Sequence, residues 1–332
     1  MNPTVSIIVP CYNEHATIRQ LLDAILAQTY PHDRMEVIIS DGLSTDDTRA
    51  VISAFQVAHP ELSVKIVDNL VRSIPAALNG AIQAARGDIL VRLDAHSVPY
   101  PDYVVRCEAA LEAGIGANVG GVWEVKAGAR TWIAESVAAA AAHPLGVGDA
   151  QYRLSPQAGA VDTVPFGSFH RSLIDEVGGF DESLLSNEDY EFNARVRAAG
   201  RVVWLDPAIR SIYYSRPTLT ELAKQYWRYG FWKWRMLQRY RSTLRWRQFL
   251  PPLFVLSLAA MSGLAPWFVE ARFLLAIELS TYLAILFAAG IAAAIARQKP
   301  AMAAGLPLAI GTMHFAWGAG FLWSMLSGLF GK

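Results

Sequence analysis

The sequence predicts an α/β fold with a mostly parallel sheet covered by helices on both faces, followed by a helical membrane region. Three features predict it. Short aliphatic runs alternate with amphipathic helical segments over residues 5–93, a polar cluster follows each run, and long apolar stretches begin after residue 248. Alternating strands and helices are typical of a parallel sheet, because parallel neighbours need a crossover connection.

The strands and helices of the first part follow from the spacing of apolar residues. Val5–Pro10 is an aliphatic run, and apolar residues then recur with helical spacing from Ile18 to Leu26. Because the runs are continuous rather than alternating, the strands should be buried on both faces. The remaining predictions are strands at Glu36–Ser40, Val64–Val67 and Ile89–Leu93, and helices from the Ser44–Asp47 cap through Phe55 and over Ile74–Ala85.

Polar residues cluster where each predicted strand ends. Ligands of open parallel sheets bind beyond the carboxyl ends of the strands, so these residues should share one crevice. The sequence has neither a GxGxxG nor a GxxxxGK[ST] motif, which argues against a dinucleotide-binding fold and a P-loop. The candidates are Asn13, Glu14, Asp41, Arg72, Asp94 and His96.

Asp94 and His96 stand two positions apart at the end of the fourth strand. Residues i and i+2 of an extended strand point the same way, so both side chains can reach one ligand. Carboxylate and imidazole groups bind divalent metals, and a metal could offset the charge of a departing diphosphate. The alternative is a capping aspartate beside a surface histidine.

Three stretches after residue 248 reach the roughly 20 apolar residues needed to cross a bilayer. We interpret 249–269, 273–296 and 303–329 as membrane spans, with a buried helical core as the alternative. Basic residues before the first stretch, and Arg297 with Lys299 after the second, predict that these flanks are cytoplasmic. The sequence therefore predicts a multi-pass protein of the inner or plasma membrane with residues 1–248 in the cytoplasm.

Residues 216–248 combine basic and aromatic side chains. Positions 224–247 hold eight Lys or Arg residues and no Asp or Glu. This composition is typical of helices in the lipid headgroup layer, and also of nucleic-acid binding; direct continuation into an apolar stretch favours membrane lipids as the partner and not nucleic acid. The predicted domains are thus 1–215, an interfacial segment 216–248 and a transmembrane domain 249–332.

Four blocks of the sequence resemble family 2 inverting glycosyltransferases with the GT-A fold. They occur in the family's order within about residues 4–235 and read VSIIVPCYNE, SDGLSTDDT, ALNGAIQAARGDILVRLDAHS and GGFDESLLSNEDYE. The sequence is most similar to the membrane-anchored bacterial exopolysaccharide enzymes of the succinoglycan glucosyltransferase type. The resemblance implies a Rossmann-like GT-A catalytic domain that uses a nucleotide sugar.

The resemblance also implies roles for individual residues. Asp41 matches the acid that reads the uracil ring, and Asp94 with His96 matches the DxD signature that binds metal and nucleotide sugar. Here His96 replaces the second carboxylate, which could move the preference from Mg²⁺ toward Mn²⁺. The block that holds the nucleoside matches Pro10, Tyr12, Asn13 and Glu14.

Asp189 matches the base that removes the proton of the acceptor hydroxyl. The segment SNEDYEFNARVRAAG predicts a helix capped by Ser186 or Asn187, with Glu188 and Asp189 in its first turn. Acids are also common in a first turn because of the helix dipole, which lowers a carboxylate pKa, so burial or nearby acids must compensate. The residues predicted to face inward are Phe192, Val196 and Ala199.

Residues 225–229 resemble the QxxRW motif of membrane-bound polysaccharide synthases, with Tyr229 in place of Trp. In that interpretation Gln225 and Arg228 contact the donor, and the planar guanidinium of Arg228 pairs with the diphosphate. The alternative makes Arg228 one more charge of an interfacial helix.

The sequence therefore predicts a metal-dependent enzyme, using Mn²⁺ or Mg²⁺, that transfers a hexose from a UDP-sugar to a polyprenyl-diphosphate-linked saccharide at the cytoplasmic membrane face. Two alternatives remain open. One is a processive polysaccharide synthase that assembles its channel as a homo-oligomer. The other is a non-catalytic membrane regulator that binds a UDP-sugar.

Overall fold

The computed structural model describes residues 4–154, 157–240 and 245–330. Their contacts divide the chain into two compact units. The first, which we call the sheet unit, comprises Met1–Glu124 and Gln151–Tyr213, and the second, the helical unit, comprises Val125–Ala150 and Tyr214–Lys332. Residues 125–150, within the predicted 1–215 domain, therefore group with the C-terminal helices.

Strands and helices are numbered along the whole chain. The strands are β1 Val5–Cys11, β2 Met35–Asp41, β3 Ser63–Asp68, β4 Ile89–Arg92, β5 Ser97–Pro99, β6 Asn118–Lys126, β7 Gly159–Ala160, β8 Ser168–His170 and β9 Val203–Tyr214. The helices are α1 Ile18–Leu26, α2 Thr48–Ala58, α3 Ile74–Ala84, α4 Tyr103–Glu112, α5 Trp132–Ala140, α6 Pro144–Val147, α7 Ser172–Val177, α8 Glu188–Ala198, α9 Leu219–Arg239, α10 Leu250–Leu264, α11 Val269–Arg297 and α12 Met302–Phe330. The strands and helices predicted up to residue 93 are confirmed within about two residues, apart from α2, which starts directly after the predicted cap but extends three residues beyond Phe55, a scatter usual for element ends.

The sheet is mixed rather than mostly parallel, which corrects the prediction. Its order is β3-β2-β1-β4-β8-β6-β9-β5, with β7 beside β9. The four strands β3, β2, β1 and β4 run parallel, whereas β8 pairs antiparallel with both β4 and β6, and β5 and β7 pair antiparallel with β9. The prediction failed in the second half because β5 and β8 have three residues each, too few to show a period of two.

Both faces of β1, β2 and β4 are buried, as their continuous aliphatic runs predict. The prediction is wrong for β3, the outermost strand, whose residues are exposed or half-buried. On β1, Ile7 and Val9 join one core with α1, α2 and α4, while Ile8 joins the other core with α3 and α8. The two cores fix the level at which every strand ends. The loops at the carboxyl ends of β1, β2 and β4 are therefore held on a rigid edge.

The helical unit is organised around α12, which packs against α5, α9, α10 and α11. Small residues allow the closest approach. A Cβ on Gly230 of α9 would lie 2.2 Å from the Trp317 carbonyl oxygen, and one on Gly320 of α12 would lie 2.3 Å from that of Trp227. Because neither distance is tolerable, a side chain at either glycine would force the backbones of α9 and α12 apart.

Among the described residues, α11 alone is long and apolar enough to cross a membrane, and 11% of its apolar window is buried. The first predicted span, 249–269, corresponds to the 15-residue helix α10. Its helix ends early because Pro266 follows the last helical turn and cannot continue the hydrogen bonding. Positions 241–244 of the predicted interfacial segment, including Arg241, lie outside the described residues.

Candidate active site

The polar residues predicted to converge do follow the ends of neighbouring strands. Cys11 pairs with Asp41 at the ends of β1 and β2, and Pro10 pairs with Ser40 one residue before. The loop after β4 brings His96 to Glu14, with 3.3 Å between Nδ1 and Oε1. The residues therefore line one edge of the sheet, in the order that the parallel topology dictates.

One cluster at this edge, which we call the β1–β2 edge, consists of Asn13, Asp41, Ser44 and Arg49. Asp41 is fully buried, and its carboxylate accepts hydrogen bonds from the Ser44 backbone N–H (3.0 Å), the Ser44 hydroxyl (2.5 Å) and Arg49 Nε (2.5 Å). Asn13, with φ of 54°, accepts a bond from the Thr45 N–H at 2.8 Å. The Asp41 charge is thus balanced inside the protein.

Tyr12 and Arg72 lie beside the β1–β2 edge and face outward. The Tyr12 ring packs on Gly42, where a Cβ would be 3.1 Å from the ring, and 47% of the residue stays exposed. The Arg72 guanidinium lies over the same ring, 5.9 Å from its centroid. An open aromatic face beside a guanidinium can stack a planar base and contact an anion.

Glu14 is held by two hydrogen bonds. Its Oε2 accepts from the Thr17 hydroxyl at 2.5 Å, and its Oε1 contacts His96. Burial favours the neutral acid, but the bonds from His96 and Thr17 outweigh it and lower the pKa of Glu14. Glu14 is therefore a carboxylate at neutral pH, next to the imidazole.

A second cluster, the acid cluster, consists of Arg92, Asp94, Glu188 and Asp189. The Arg92 side chain is 3% exposed, and its Nη2 donates to Asp94 Oδ1 at 3.1 Å and to Glu188 Oε1 at 3.0 Å. Its Nη1 donates to Asp189 Oδ1. Burial opposes the charged guanidinium, but Asp189, Asp94 and Glu188 outweigh it and raise the pKa of Arg92. Three carboxylates thus share one cation.

The pKa of Asp189 is raised to about 7. Burial is the main cause, the neighbouring acids Glu188 and Asp94 add to it, and Arg92 opposes it. These effects supply the compensation that a carboxylate at a helix N-terminus requires to act as a base near neutral pH.

Helix α8 carries Glu188 and Asp189 in its first turn, as predicted. Asn187 is the N-cap residue, but it adopts a left-handed conformation with φ of 67° rather than capping through its side chain. Phe192 and Val196 are buried, whereas Ala199 is exposed beyond the last helical residue, so its predicted inward orientation is wrong. The helix ends one residue earlier than the periodicity suggests.

Several residues that hold α8 were missed by sequence reasoning. Asn193, one turn after Asp189, accepts a bond from Asn118 Nδ2 at 2.6 Å and donates to the Thr163 hydroxyl at 3.0 Å. Arg195 donates to Glu191 and to the Gly179 carbonyl, both at 2.7 Å. The sequence does show polar residues, Asn193 and Arg195, after the first turn of α8. Buried amides need hydrogen-bond partners, so these residues could have been predicted to anchor the helix.

Gln225 and Arg228 lie on α9, in the helical unit. Gln225 is buried and its Nε2 donates to the Tyr229 hydroxyl at 3.0 Å, while Arg228 is exposed. Tyr229, which replaces the tryptophan of the QxxRW motif, therefore bonds to the glutamine of the same motif. The assignment of both residues to donor binding stays a prediction.

In the described part of the chain, no three His, Cys, Asp or Glu side chains are grouped closely enough to hold a metal ion. The donor types nevertheless suit Mn²⁺ or Mg²⁺, since Glu14 and Asp94 are carboxylates and His96 an imidazole. Arg92 contacts the carboxylates of Asp94, Glu188 and Asp189, and His96 contacts that of Glu14. Arg92 is the one permanent cation among these contacts. This excess negative charge favours binding of a divalent cation.

The chain is similar in sequence to known glycosyltransferases. The model of the family described as "Glycosyl transferase family 2" matches residues 6–178. The chain is 31% identical over 323 residues to the succinoglycan biosynthesis protein ExoA of Rhizobium meliloti, covering 95% of this chain and 93% of that protein. It is 28% identical to the dolichyl N-acetyl-alpha-D-glucosaminyl phosphate 3-beta-D-2,3-diacetamido-2,3-dideoxy-beta-D-glucuronosyltransferase of Methanococcus voltae, covering 78% and 82%.

Solved structures show the same fold. The mannosyltransferase PcManGT from Pyrobaculum calidifontis, in complex with GDP-Man and Mn²⁺, matches with a TM-score of 0.61 and 23% identity over 94% of this chain and 87% of that one. Residues 1–349 of TarS from S. aureus, in complex with UDP, match with a TM-score of 0.51 and 15% identity over 99% and 92%. The sheet unit thus has a GT-A type α/β fold.

Proposed function

The chain belongs to glycosyl transferase family 2, and we propose that it transfers a hexose from a UDP-sugar to a polyprenyl-diphosphate-linked saccharide with inversion at the anomeric carbon. The observation that carries the proposal is the position of Asp189. Its carboxylate shares the buried guanidinium of Arg92 with Asp94, one of the residues that match the donor site, and burial raises its pKa toward neutral. A base performs best when its pKa lies near the working pH.

In this mechanism the acceptor hydroxyl oxygen attacks the anomeric carbon from the side opposite to UDP. The new carbon–oxygen bond forms as the bond to the diphosphate breaks, and the electron pair of that bond leaves with UDP. The hydroxyl proton passes to the Asp189 carboxylate. An α-linked donor therefore gives a β-linked product, and positive charge developing on the sugar is stabilised by the nearby carboxylates.

The donor would lie along the sheet edge. Tyr12 and Arg72 offer a stacking face and a cation for the nucleoside diphosphate, and Pro10, Asn13 and Asp41 shape the loop beneath. Asp94, His96 and Glu14 would hold Mn²⁺ or Mg²⁺, which when bound offsets the charge of the departing diphosphate. Glu188 keeps the proton affinity of Asp189 high.

The acceptor would be presented at the cytoplasmic face of the inner or plasma membrane. The apolar and exposed helix α11 supports membrane attachment, and we propose that α10, α11 and α12 correspond to the three predicted spans. Relatives whose names refer to succinoglycan biosynthesis and to a dolichyl-phosphate-linked sugar support a lipid-linked acceptor. Gln225 and Arg228 of α9 would contact the diphosphate, and membrane lipids would surround the apolar helices.

The proposal is tested by replacing Asp189 with Asn in the full chain. UDP release is measured with a panel of UDP-sugars and a lipid extract as acceptor source. We expect the parent to turn over with one donor, and Asp189→Asn to lower kcat by about 10²–10⁴-fold, the usual effect of losing a general base.

Asp175→Asn serves as the matched control, because Asp175 is an exposed carboxylate on α7 of the same unit. It should turn over like the parent. Unchanged turnover in Asp189→Asn would exclude Asp189 as the base. Binding of UDP-sugars without any turnover by the parent would favour the non-catalytic alternative.

A further inference from the structure

Arg92 is the charged residue of an otherwise aliphatic, fully buried strand, Ile89–Arg92. The strand lies inside the sheet, between β1 and β8. Placing a guanidinium at such a position is costly unless carboxylates pair with it. The motif predicted to bind metal and nucleotide sugar consists of Asp94 and His96 alone. It therefore does not explain why Arg92 is present.

The contacts of Arg92 join two segments that are far apart in sequence. On one side it bonds to Asp94, two residues along its own chain. On the other it bonds to Glu188 and Asp189, which are 96 and 97 residues away in the first turn of α8. A guanidinium is planar and its donors have a fixed geometry, so it orients the carboxylates it binds more strictly than an ammonium group does.

Building on the proposed function, we propose that Arg92 is a positioning residue, which holds the Asp189 carboxylate beside Asp94 and Glu188 in the orientation from which it accepts the acceptor proton. Arg92 does not itself touch the reacting atoms. It acts through Asp189, and it ties the loop that matches the donor motif to the helix that carries the base.

The charged and titratable groups that face Asp189 determine in which direction its pKa moves when one of them is removed. Burial raises the pKa of Asp189, Glu188 of α8 and Asp94 of the β4 loop raise it further, and Arg92 lowers it. From α4, Tyr103 also faces this cluster, and the negative charges of Asp189 and Asp94 add to burial in raising the Tyr103 pKa. Removing Arg92 should therefore raise the pKa of the base, and removing the Glu188 charge should lower it.

A purely structural role makes a different prediction. If Arg92 only filled its place in the sheet, its loss would reduce stability and the amount of folded protein. The pH at which folded enzyme loses activity would stay where it is in the parent. The position of the acidic limb of kcat/KM against pH thus separates the two roles.

The experiment compares Arg92→Met, Arg92→Lys and Glu188→Gln in the full chain, with kcat/KM for UDP release measured from pH 5 to 9. We expect the acidic limb of Arg92→Met to move up by about one pH unit or more, so that activity at pH 7 falls about fivefold or more while UDP affinity stays within about threefold. Arg92→Lys should recover part of this shift. In Glu188→Gln the limb should move down.

Arg171→Met is the matched control. The Arg171 guanidinium bonds only to backbone carbonyls, those of Gly87 at 2.9 Å and Ile82 at 3.1 Å, among its described contacts in the same unit. Its loss should lower the unfolding temperature and leave the acidic limb unmoved. An acidic limb of folded Arg92→Met that coincides with the parent's would overturn the proposal.

If Arg92→Met does not fold, Arg92→Lys and Glu188→Gln decide, and unmoved limbs in both would overturn the proposal. If the parent transfers no sugar, the proposed function fails instead. The pairing is then tested by unfolding a double-mutant cycle of Arg92→Lys and Asp189→Asn. A coupling that does not change between pH 5 and pH 8 would contradict the role of Arg92, whereas a coupling that grows with pH would support it.

Discussion

The two polar clusters at the sheet edge differ in how their charges are balanced. At the β1–β2 edge, Asp41 is fully buried and its oxygens accept three hydrogen bonds from Ser44 and Arg49. In the acid cluster, Asp94, Glu188 and Asp189 share the single guanidinium of Arg92. The charge of Asp41 is balanced within the first cluster, whereas in the second cluster three carboxylates face one guanidinium. The proposed function assigns this excess negative charge to cation binding and proton uptake.

Removing divalent cations should give the largest effect, because in the proposed function Asp94 of the acid cluster holds the metal together with Glu14 and His96. We expect chelation with EDTA to lower turnover by about 10²–10³-fold, the rate equivalent of losing several kcal/mol of charge stabilisation. Added Mn²⁺ should restore turnover in the parent and in Asp41→Asn, but not in Asp94→Asn. Equal turnover before and after chelation would contradict the proposal that the acid cluster takes part in cation binding and the β1–β2 edge does not.

Removing a carboxylate should lower stability more at the β1–β2 edge than in the acid cluster. Asp41→Ala leaves the Ser44 donors without their acceptor and Arg49 with Asp68 alone, and should cost about 2–4 kcal/mol, seen as a fall in the thermal midpoint of roughly 4–10 °C. In Glu188→Gln the buried Arg92 keeps Asp94 and Asp189 as partners and repulsion among three like charges is relieved, so the loss of stability should be smaller than in Asp41→Ala. A loss as large in Glu188→Gln as in Asp41→Ala would show that the acid cluster is structural too.

The smallest effect should appear in the pH dependence of stability. The folded-state pKa of Asp189, about 7, exceeds the ordinary value of 3.8, so the native state binds this proton more tightly than the unfolded chain does. The resulting stabilisation is complete below about pH 4 and is lost as the pH rises to about 7. Asp189→Asn lacks this loss, so its stability relative to the parent should increase between pH 4 and pH 8.

This gain is measured by comparing unfolding midpoints of Asp189→Asn and the parent at each pH. The exposed control Asp175→Asn should follow the parent throughout. Parallel curves for Asp189→Asn and the parent would mean that the Asp189 proton is bound equally in both states.

The sequence was sufficient for the parallel half of the sheet and for the residues at its edge. Strands such as Val5–Cys11 and Met35–Asp41 are long, continuous and aliphatic, so their type and order follow from local pattern. The strand Ser168–His170 has no such pattern, and its place beside β4 depends on contacts made after folding. The change from parallel to antiparallel pairing in the second half of the sheet could therefore not be predicted from the sequence.

Arg92, the part of the candidate site that the sequence did not predict, escaped notice for a similar reason. Asp94, His96 and Asp189 could be chosen from their motifs, but the partner of Asp189 lies 97 residues earlier, in a strand that looks purely structural. An arginine within an aliphatic run was the available signal. A buried cation requires acids nearby, and this rule would have linked Arg92 to the base.

The central position of α12 limits how the protein can be shortened for experiments. Helices α5 and α9 each bury apolar residues against it, and its glycines let the α9 backbone come into contact. A chain cut before Met302 to obtain a detergent-free enzyme would uncover those faces and invite aggregation. Soluble variants are better sought by making the outward surface of α11 polar while leaving the last helix in place.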